Sequence, residues 1–488
     1  GITKPSDYLY LCRSVRDGSG RETRPSPLIT KIENMFSNVE KTSFRSGDIT
    51  SVDRPVPVLH RLGEGLVKNN RIWQEAAEWL LNNEKYRNRA MIIKKGSELK
   101  NIEKNLSAKN LKRLYGGKMY TSISQLETFS SCPFCYFSRY SLKAKPRKVY
   151  EIRTPDLGSL YHAVLEKITE MMRDRGLKWQ SIDENEIKCM IDEAIDVIVP
   201  DTANKVLLST AAHVYMIKRI KRISARALSV LRKHMCSGKF ETLGSEITFG
   251  SGELPAIEIK MPNGRELLLR GKIDRVDIYR KDGSCYVKII DYKSGKKDFS
   301  LSDIYYGLQL QLLLYMDAFL KTGKILTEDE PDVGGVFYFR IMDPIIKASE
   351  LKENSPETAL YKQFRMTGLA CSDADILEAL DTALETGARS DIINISIRKD
   401  GNISGSAVGR SEYEKIMEFS ADKAGELGQN ILEGDVSISP VINGGIMTCD
   451  YCEYKSVCCF DPKNGNEARK LKHLSSDEVW DNILSGKK

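Results

Sequence analysis

Two aspartates and a lysine in segment 266–295 have the residue types and the spacing needed for metal-dependent chemistry. Asp274 lies in a β-rich run, and Asp291 and Lys293 end the next such run, beyond a turn at 281–284. A hairpin would bring the two carboxylates close together, where like charges repel and one of them would hold its proton. A hard divalent cation, which takes oxygen ligands, would remove that conflict.

The position of the lysine extends this chemistry. Asp291 and Lys293 are two residues apart, so their side chains lie on the same face of the strand. The ammonium can there orient a water molecule or stabilise charge on a phosphate. The alternative is that both aspartates are ordinary strand-end residues in exposed salt bridges, because the D…DxK spacing often occurs by chance.

The flanking elements favour the catalytic interpretation. A helix is predicted over 302–320, and Gln311 lies near the edge of its apolar stripe, four residues before Tyr315. A polar amide one turn from a tyrosine, directly after the DxK sequence, is an unusual coincidence. Upstream, Ser124 and Glu127 fit an S-x-x-E capping box at the start of another helix.

Four short sequences together carry a family resemblance. GKID at 271–274, DYKSG at 291–295 and QLLLY at 311–315 resemble the nuclease motifs of the RecB-like branch of PD-(D/E)xK nucleases. GSLYHAVLE at 158–166 is similar to the GxxxHxxLE motif of that branch. The resemblance implies metal-assisted hydrolysis of phosphodiester bonds.

The resemblance also implies a role for each matching residue. The ligands of Mg²⁺, with Mn²⁺ as an alternative ion, would be His162, Asp274, Asp291 and the backbone carbonyl of Tyr292. Glu246, in the looser match GSEITFG, is a weaker candidate for the same metal site. Lys293 would act on the water or the phosphate, and Gln311 and Tyr315 would support Lys293 or contact the DNA strand.

A basic segment follows the histidine motif. From Lys205 to Lys239 the chain has nine lysines and arginines and no acidic residue. A charge run is usually a solvated helix face, but a run of one sign favours contact with phosphates. We predict DNA contacts from Lys218, Arg219, Lys221, Arg222 and Arg226.

Three cysteines near the end of the chain have metal-site spacing. Cys449, Cys452 and Cys458 form C-x2-C-x5-C, and eleven cysteines without a secretory signal indicate metal binding rather than disulfides. The family resemblance implies Cys132 as the fourth ligand and a [4Fe–4S] cluster that staples the two ends of the domain. Structural zinc accepts the same four thiolates, so both remain open. Cys135 and Cys459 are additional candidates.

Composition and length restrict the class of protein. The 488 residues suit two to four domains, and 41% hydrophobic residues are enough for buried cores. The net charge of +7 is a weak indication of a polyanionic partner. We expect no membrane span, because no apolar run approaches 18 residues, and a cytoplasmic location in a bacterium. Gly1 in place of Met leads us to expect that the chain begins part-way through a larger protein.

The predicted architecture is an α/β, restriction-endonuclease-like nuclease core with a mixed central sheet flanked by helices, preceded by a helical segment. Residues 1–60 would end a helicase-like region, 61–118 would form a helical connector, 119–470 the nuclease domain with its iron–sulfur clasp, and 471–488 a tail. The sequences LYL…D…G…PS, VFYFRIMDP and RMTGL resemble the AddB component of AddAB-type helicase–nucleases.

That resemblance implies a Mg²⁺-dependent DNA exonuclease domain. It would cut an unwound strand while double-strand breaks are processed for recombination, with an AddA-like motor subunit as its partner. One alternative is an iron–sulfur nuclease of the CRISPR-associated type, although those enzymes are far shorter. The other is a non-catalytic DNA-binding scaffold with the same fold, against which the intact motif residues argue.

Overall fold

The computed structural model describes residues 4–16, 21–36, 38–42, 54–67, 71–98, 100–102, 105–116, 119–145, 154–201, 211–295, 297–346 and 355–486. The backbone contacts divide the chain into two compact units, Gly1–Lys100 and Asn101–Lys488. The connector predicted for 61–118 therefore divides between two units. Residues 101–116 belong with the second unit, where Leu106 N–H donates to the Gly434 carbonyl.

The first unit is helical over its described residues. Its helices are α1 (Pro27–Met35), α2 (Pro55–Val67), α3 (Arg71–Asn82) and α4 (Arg87–Ser97). Leu62, Trp73, Leu80 and Ala90 form its small buried core. Gly65 allows the close approach of α2 and α3, because a Cβ there would lie 2.0 Å from the Trp73 ring.

The second unit is built on fourteen strands in its described part. They are β1 (Met119–Thr121), β2 (Glu241–Phe249), β3 (Ile257–Lys260), β4 (Glu266–Leu269), β5 (Gly271–Lys281), β6 (Ser284–Lys293), β7 (Pro331–Arg340), β8 (Thr367–Cys371), β9 (Ile395–Ile397), β10 (Ile403–Gly405), β11 (Ala407–Val408), β12 (Val441–Asn443), β13 (Ile446–Met447) and β14 (Arg469–Lys470). The central sheet has the order β11-β8-β7-β6-β5-β2. It is mixed, because β6 pairs antiparallel with β5 and parallel with β7.

The β5–β6 hairpin forms where the sequence predicts it. Lys281 pairs with Ser284, so the loop is the two residues Asp282-Gly283, with φ of 50° and 78°. Positive φ at both positions is the geometry of a type I′ turn, which Asp-Gly favours. The hairpin runs over buried Val276, Val287 and Ile289, and its open end carries the motif aspartates.

Residues 266–279 do not form one strand. β4 leaves the central sheet and pairs with β1 and β3, whereas β5 begins at Gly271. A Cβ at Gly271 would lie 2.6 Å from the Phe249 ring and 3.2 Å from the Tyr315 ring. Glycine is needed there because two aromatic rings close over the backbone.

Helices cover this framework. They are α5 (Ala108–Tyr115), α6 (Ile123–Ser131), α7 (Pro133–Tyr136), α8 (Thr154–Asp174), α9 (Glu184–Asp201), α10 (Ala211–Cys236), α11 (Leu301–Tyr305), α12 (Gln311–Thr322), α13 (Lys324–Thr327), α14 (Pro356–Gln363), α15 (Ala374–Leu380), α16 (Arg410–Leu432), α17 (Lys455–Cys458) and α18 (Ser476–Leu484). α12 packs on β6 and β7, and α8, α9 and α10 pack against one another. α18 packs on α11 and α16, so the predicted tail is docked.

The helix predicted over 302–320 is broken in two. α11 ends at Tyr305, Gly307 has a φ of 74°, and α12 begins at Gln311. The break places Gln311 at the first residue of a helix rather than in its middle. No helix in the described ranges is long and apolar enough to cross a membrane.

Candidate active site

The two motif aspartates face each other across the β5–β6 ladder. Arg275 pairs with Ile290, which brings Asp274 and Asp291 opposite each other at the next position. Asp274 Oδ2 accepts the N–H of Tyr292 at 2.8 Å and lies 3.3 Å from His162 Nδ1 on α8. The hairpin and one helix therefore bring three predicted metal ligands together.

Asp291 is buried without its full set of partners. Its side chain is 1% exposed, and Oδ2 lies 2.5 Å from Lys293 Nζ. Neither carboxylate oxygen has a hydrogen bond of good geometry among the described residues. Burial, followed by the nearby charge of Asp274, raises the pKa of Asp291 to about 7. Two carboxylates this close need a positive charge between them.

Glu246, the weaker candidate, reaches the same place from β2. The ligand atoms of His162, Glu246 and Asp274 all lie within 4.8 Å of one another. Glu246 has a φ of 57°, a left-handed conformation that non-glycine residues adopt mainly under constraint, often at functional sites. Its carboxylate pairs with Lys272. With Asp291 beside them, this oxygen and imidazole donor set fits a hard divalent cation.

Lys293 is held by the two residues predicted to support it. Its Nζ donates to Gln311 Oε1 at 3.2 Å, and Gln311 Nε2 donates to the Tyr315 hydroxyl at 3.0 Å. The ammonium also lies 5.4 Å from the centre of the Tyr338 ring. The lysine is therefore oriented from α12 and β7 together.

Glu127 belongs to the site in a way that the sequence did not indicate. α6 begins at Ile123 after Ser122, so Ser124 and Glu127 do not form the predicted capping box. Glu127 Oε1 instead accepts the N–H groups of Leu310 and Gln311, at 2.8 and 3.0 Å. Its carboxylate fixes the start of α12, and burial raises its pKa. The S-x-x-E pattern was present, but its partner is 183 residues away.

A buried ionic network beneath the aspartates was also missed. Arg275 Nε donates to Asp277 Oδ1 at 2.7 Å, and Lys288 Nζ lies 3.0 Å from Asp277 Oδ2. Arg275 and Asp277 are fully buried. Burial opposes the charge on Asp277, but Arg275 and Lys288 outweigh it and lower its pKa. Strand alternation predicts which residues turn inward, but not that three charges turn inward together.

The cysteines from both ends of the domain meet in one place. Cys132, Cys449 and Cys458 are buried and Cys452 is half-buried, with its Sγ 3.9 Å from Cys135 Sγ. Burial and the neighbouring thiols of Cys132, Cys458 and Cys452 raise the pKa of Cys449 to about 11. Cys459 is exposed. Cys135 is thus a closer neighbour of the cluster than Cys459.

The predicted basic residues differ in their partners. Lys221 pairs with Asp192 at 2.7 Å, and Arg222 and Arg226 both pair with Asp343. Lys218 and Arg219 are exposed on the same helix, α10, and no carboxylate lies within 4.0 Å of either in the part of the chain described.

This basic face lies beside the helix that carries His162. Burial raises the pKa of Tyr161, the residue preceding His162, and the charges of Arg219 and Arg222 oppose that shift. Both guanidinium groups are therefore near the N-terminal half of α8. A strand of DNA at the carboxylates could reach them.

Comparison with known proteins agrees with this geometry. A sequence profile of the PD-(D/E)XK nuclease superfamily matches residues 120–459, which include the hairpin, the histidine helix and the cysteines. The chain belongs to the PD-(D/E)XK nuclease superfamily. The predicted fold class is confirmed.

Within that superfamily, the similar curated proteins are named as the B-type subunits of ATP-dependent helicase/deoxyribonucleases. The one from Alkaliphilus oremlandii is 34% identical over 499 residues, covering 99% of this chain and 43% of the relative. Those from Alkaliphilus metalliredigens and Clostridium botulinum (strain Langeland) are also 34% identical, with the same coverage. The resemblance to the AddB component of helicase–nucleases is confirmed, and the chain spans less than half the length of these relatives.

Proposed function

We propose that the chain is a Mg²⁺-dependent deoxyribonuclease unit that hydrolyses the backbone of single-stranded DNA. One observation carries the proposal: buried Asp291, with no well-formed hydrogen bond to either oxygen among the described residues, faces Asp274 and adjoins Lys293. A structural ion pair would satisfy those oxygens, whereas a site for a cation leaves them available.

The donor set assigns the cation ligands. His162, Asp274, Asp291 and the Tyr292 carbonyl would hold Mg²⁺ or Mn²⁺, with Glu246 completing the group. When bound, the ion would polarise the phosphate and acidify a water molecule. Asp274 meanwhile keeps Tyr292 and His162 in place through its Oδ2 atom.

Lys293 acts on the reacting phosphate in this proposal. Its ammonium is oriented by Gln311, so it can position the attacking water or offset charge that develops on the phosphate oxygens. Tyr315 fixes the Gln311 amide, so Gln311 and Tyr315 are positioning residues. Because α12 starts at Gln311, movement of that helix would misplace the lysine.

The exposed side of α10 would receive the DNA backbone. Lys218 and Arg219 supply positive charge without a close carboxylate in the described ranges. Lys221, Arg222 and Arg226 would have to exchange Asp192 or Asp343 for a phosphate. Lys218 and Arg219 are therefore the stronger DNA contacts.

For the cysteines we propose a [4Fe–4S] cluster held by Cys132, Cys449, Cys452 and Cys458. Four thiolates around one zinc ion, with Zn–S bonds of about 2.3 Å, would lie about 3.8 Å apart. Among the residues described, no three cysteine sulfurs lie within 4.8 Å of one another. That wider spacing suits a group larger than one ion. The cluster would be a clasp between the two ends of the domain.

The names of the relatives suggest the wider role. We propose that this unit cuts one unwound strand during the processing of double-strand breaks in a bacterial cytoplasm, and that an AddA-like motor subunit supplies ATP-driven unwinding. The match to these long helicase–nuclease subunits over 99% of the chain favours this role over a CRISPR-associated nuclease.

A cleavage assay separates a nuclease from a scaffold. The 488-residue chain is incubated with end-labelled single-stranded DNA in Mg²⁺ and in EDTA. We expect cleavage in Mg²⁺ alone. DNA binding without cleavage in either Mg²⁺ or Mn²⁺ would favour the scaffold.

A further inference from the structure

An arginine lies beside Lys293 at the catalytic edge of the sheet. Arg340 ends β7 and pairs with Lys293 across the parallel β6–β7 ladder. Side chains alternate along each strand, so directly paired residues share a face, and neighbouring strands are about 4.8 Å apart. Tyr338, two residues earlier, confirms the face, because Lys293 Nζ lies over its ring.

The guanidinium of Arg340 is only partly used. Its Nη2 pairs with Asp298, and its Nε is buried with no hydrogen-bond partner in the described part of the chain. The arginine side chain is 21% exposed, whereas that of Asp298 is 65% exposed. A guanidinium has five N–H donors, and burying one unpartnered is unfavourable. A packing role alone does not explain this arrangement at the edge where the carboxylates meet.

We propose that Arg340 binds a phosphate of the DNA strand beside the phosphate that is cleaved, and that Asp298 occupies that position when no DNA is bound. The inference rests on the proposed nuclease function. A guanidinium matches the two oxygens of a carboxylate or a phosphate with parallel hydrogen bonds. Asp298 presents the same pair of oxygens, so a phosphate would replace it like for like.

The loop that carries Asp298 permits this exchange. Its backbone is fixed, because the Asp298 carbonyl accepts Gln309 Nε2 at 2.7 Å and Gln309 Oε1 accepts the N–H of Ser300 at 3.0 Å. Only the exposed carboxylate has to turn into solvent. Exchange therefore needs a change of side-chain rotamer and no rearrangement of the active site.

Binding measurements on paired variants test the proposal. The dissociation constant for fluorescein-labelled oligo(dT) is measured by anisotropy in EDTA over a range of salt concentrations, for the 488-residue chain and for R340Q, R340K and D298N. The control is R280Q, because Arg280 pairs with exposed Asp329 at 3.1 Å near the hairpin turn, at the opposite end of the sheet.

The two partners should have opposite effects. R340Q should weaken binding about tenfold or more, since it removes hydrogen bonds to a charged group. It should also lower the slope of log K against log salt by about 0.7, the value for one phosphate of a single strand. R340K should keep the slope. D298N should tighten binding about two- to fivefold, in line with the small free energy of an exposed ion pair. R280Q should match the wild type.

A purely structural ion pair gives a different pattern. D298N and R340Q would then change binding in the same direction, or the salt slope of R340Q would match the wild type, and either result overturns the proposal. If R340Q does not fold, unchanged or weaker binding by D298N overturns it alone. Because binding is measured in EDTA, an Arg340 effect without cleavage in Mg²⁺ would sink only the nuclease proposal.

Discussion

At the scale of single residues, the site depends on side chains that reach across long stretches of sequence. Glu127 joins α6 to the first turn of α12 and so supports Gln311 and Lys293. Arg340 comes beside Lys293 through strand register alone. Neither has a local signal, because the partner of each is set by the fold. Asp274, Asp291 and Lys293 were predictable because their spacing within one hairpin fixes their relation.

Glu127 gives the first residue-scale prediction. Glu127→Ala leaves two buried N–H groups without an acceptor, which should cost about 1–3 kcal/mol of unfolding free energy. It should also slow cleavage, since the start of α12 loosens. Glu127→Gln keeps an acceptor oxygen and should retain most of both properties. Urea unfolding and single-turnover cleavage measure the effects, and equal stability of wild type and Glu127→Ala would contradict the assigned contact.

His234 gives a prediction about pH. It is buried against Phe339, and burial, aided by the charges of Lys288 and Lys233, lowers its pKa to about 3. The unfolded chain takes up a proton near pH 6.5 and the folded chain does not, so His234 lowers stability as pH falls from about 6.5 towards 3.

Unfolding free energies measured between pH 7 and pH 4 test this dependence. His234→Gln should flatten the pH dependence of stability relative to wild type. His473→Gln, which changes an exposed histidine, should leave the dependence as it is. An unchanged pH dependence in His234→Gln would show that this imidazole is not buried in the neutral form.

At the scale of elements, α10 presents its basic residues in two groups. Those that pair with Asp192 or Asp343 also hold the fold together, and those that do not are available to a ligand. Reversing Lys218 and Arg219 to glutamate should weaken DNA binding for every sequence and flatten its salt dependence, because fewer counterions are released. The same reversal at Lys112 and Arg113, exposed on α5, is the control. Equal effects of the two double variants would make α10 an ordinary solvated helix.

Some elements were predictable and others were not. The β5–β6 hairpin followed from alternating apolar residues and an Asp-Gly turn, both of which act locally. The break between α11 and α12 was missed, because Leu308, Leu312 and Tyr315 still repeat at helical spacing across it. β4 was merged with β5, because whether a β-rich run stays in one sheet depends on β1, far away in sequence.

At the scale of the whole second unit, the cysteines join its beginning to its end. Near them, Asn101 Nδ2 donates to the Cys458 carbonyl at 2.7 Å, and Phe134 N–H donates to the Ser437 carbonyl at 3.1 Å. The C-x2-C-x5-C spacing predicted a metal site, but the proximity of Cys135 to Cys452 follows only from the fold.

The clasp predicts a separation of structure from catalysis. Cys452→Ser should lose iron and inorganic sulfide and expose both ends of the unit to protease, because binding energy at such a site is also folding energy. Cys189→Ser, on α9, and Asp274→Ala should keep both the iron and the protease resistance. Anaerobically purified wild type carrying stoichiometric zinc in place of iron would contradict the cluster while leaving the nuclease site untouched.

The central claim is that Asp291 holds a divalent cation and Lys293 acts on the phosphate beside it. The most direct measurement combines Mn²⁺ binding by calorimetry with single-turnover cleavage of single-stranded DNA, for wild type, Asp291→Asn and Lys293→Met. Asp291→Asn should lose both Mn²⁺ binding and cleavage. Lys293→Met should bind Mn²⁺ and DNA but lose cleavage by about a hundredfold or more, in line with removal of one group that stabilises developing charge. Cleavage at the wild-type rate by either variant would contradict the account.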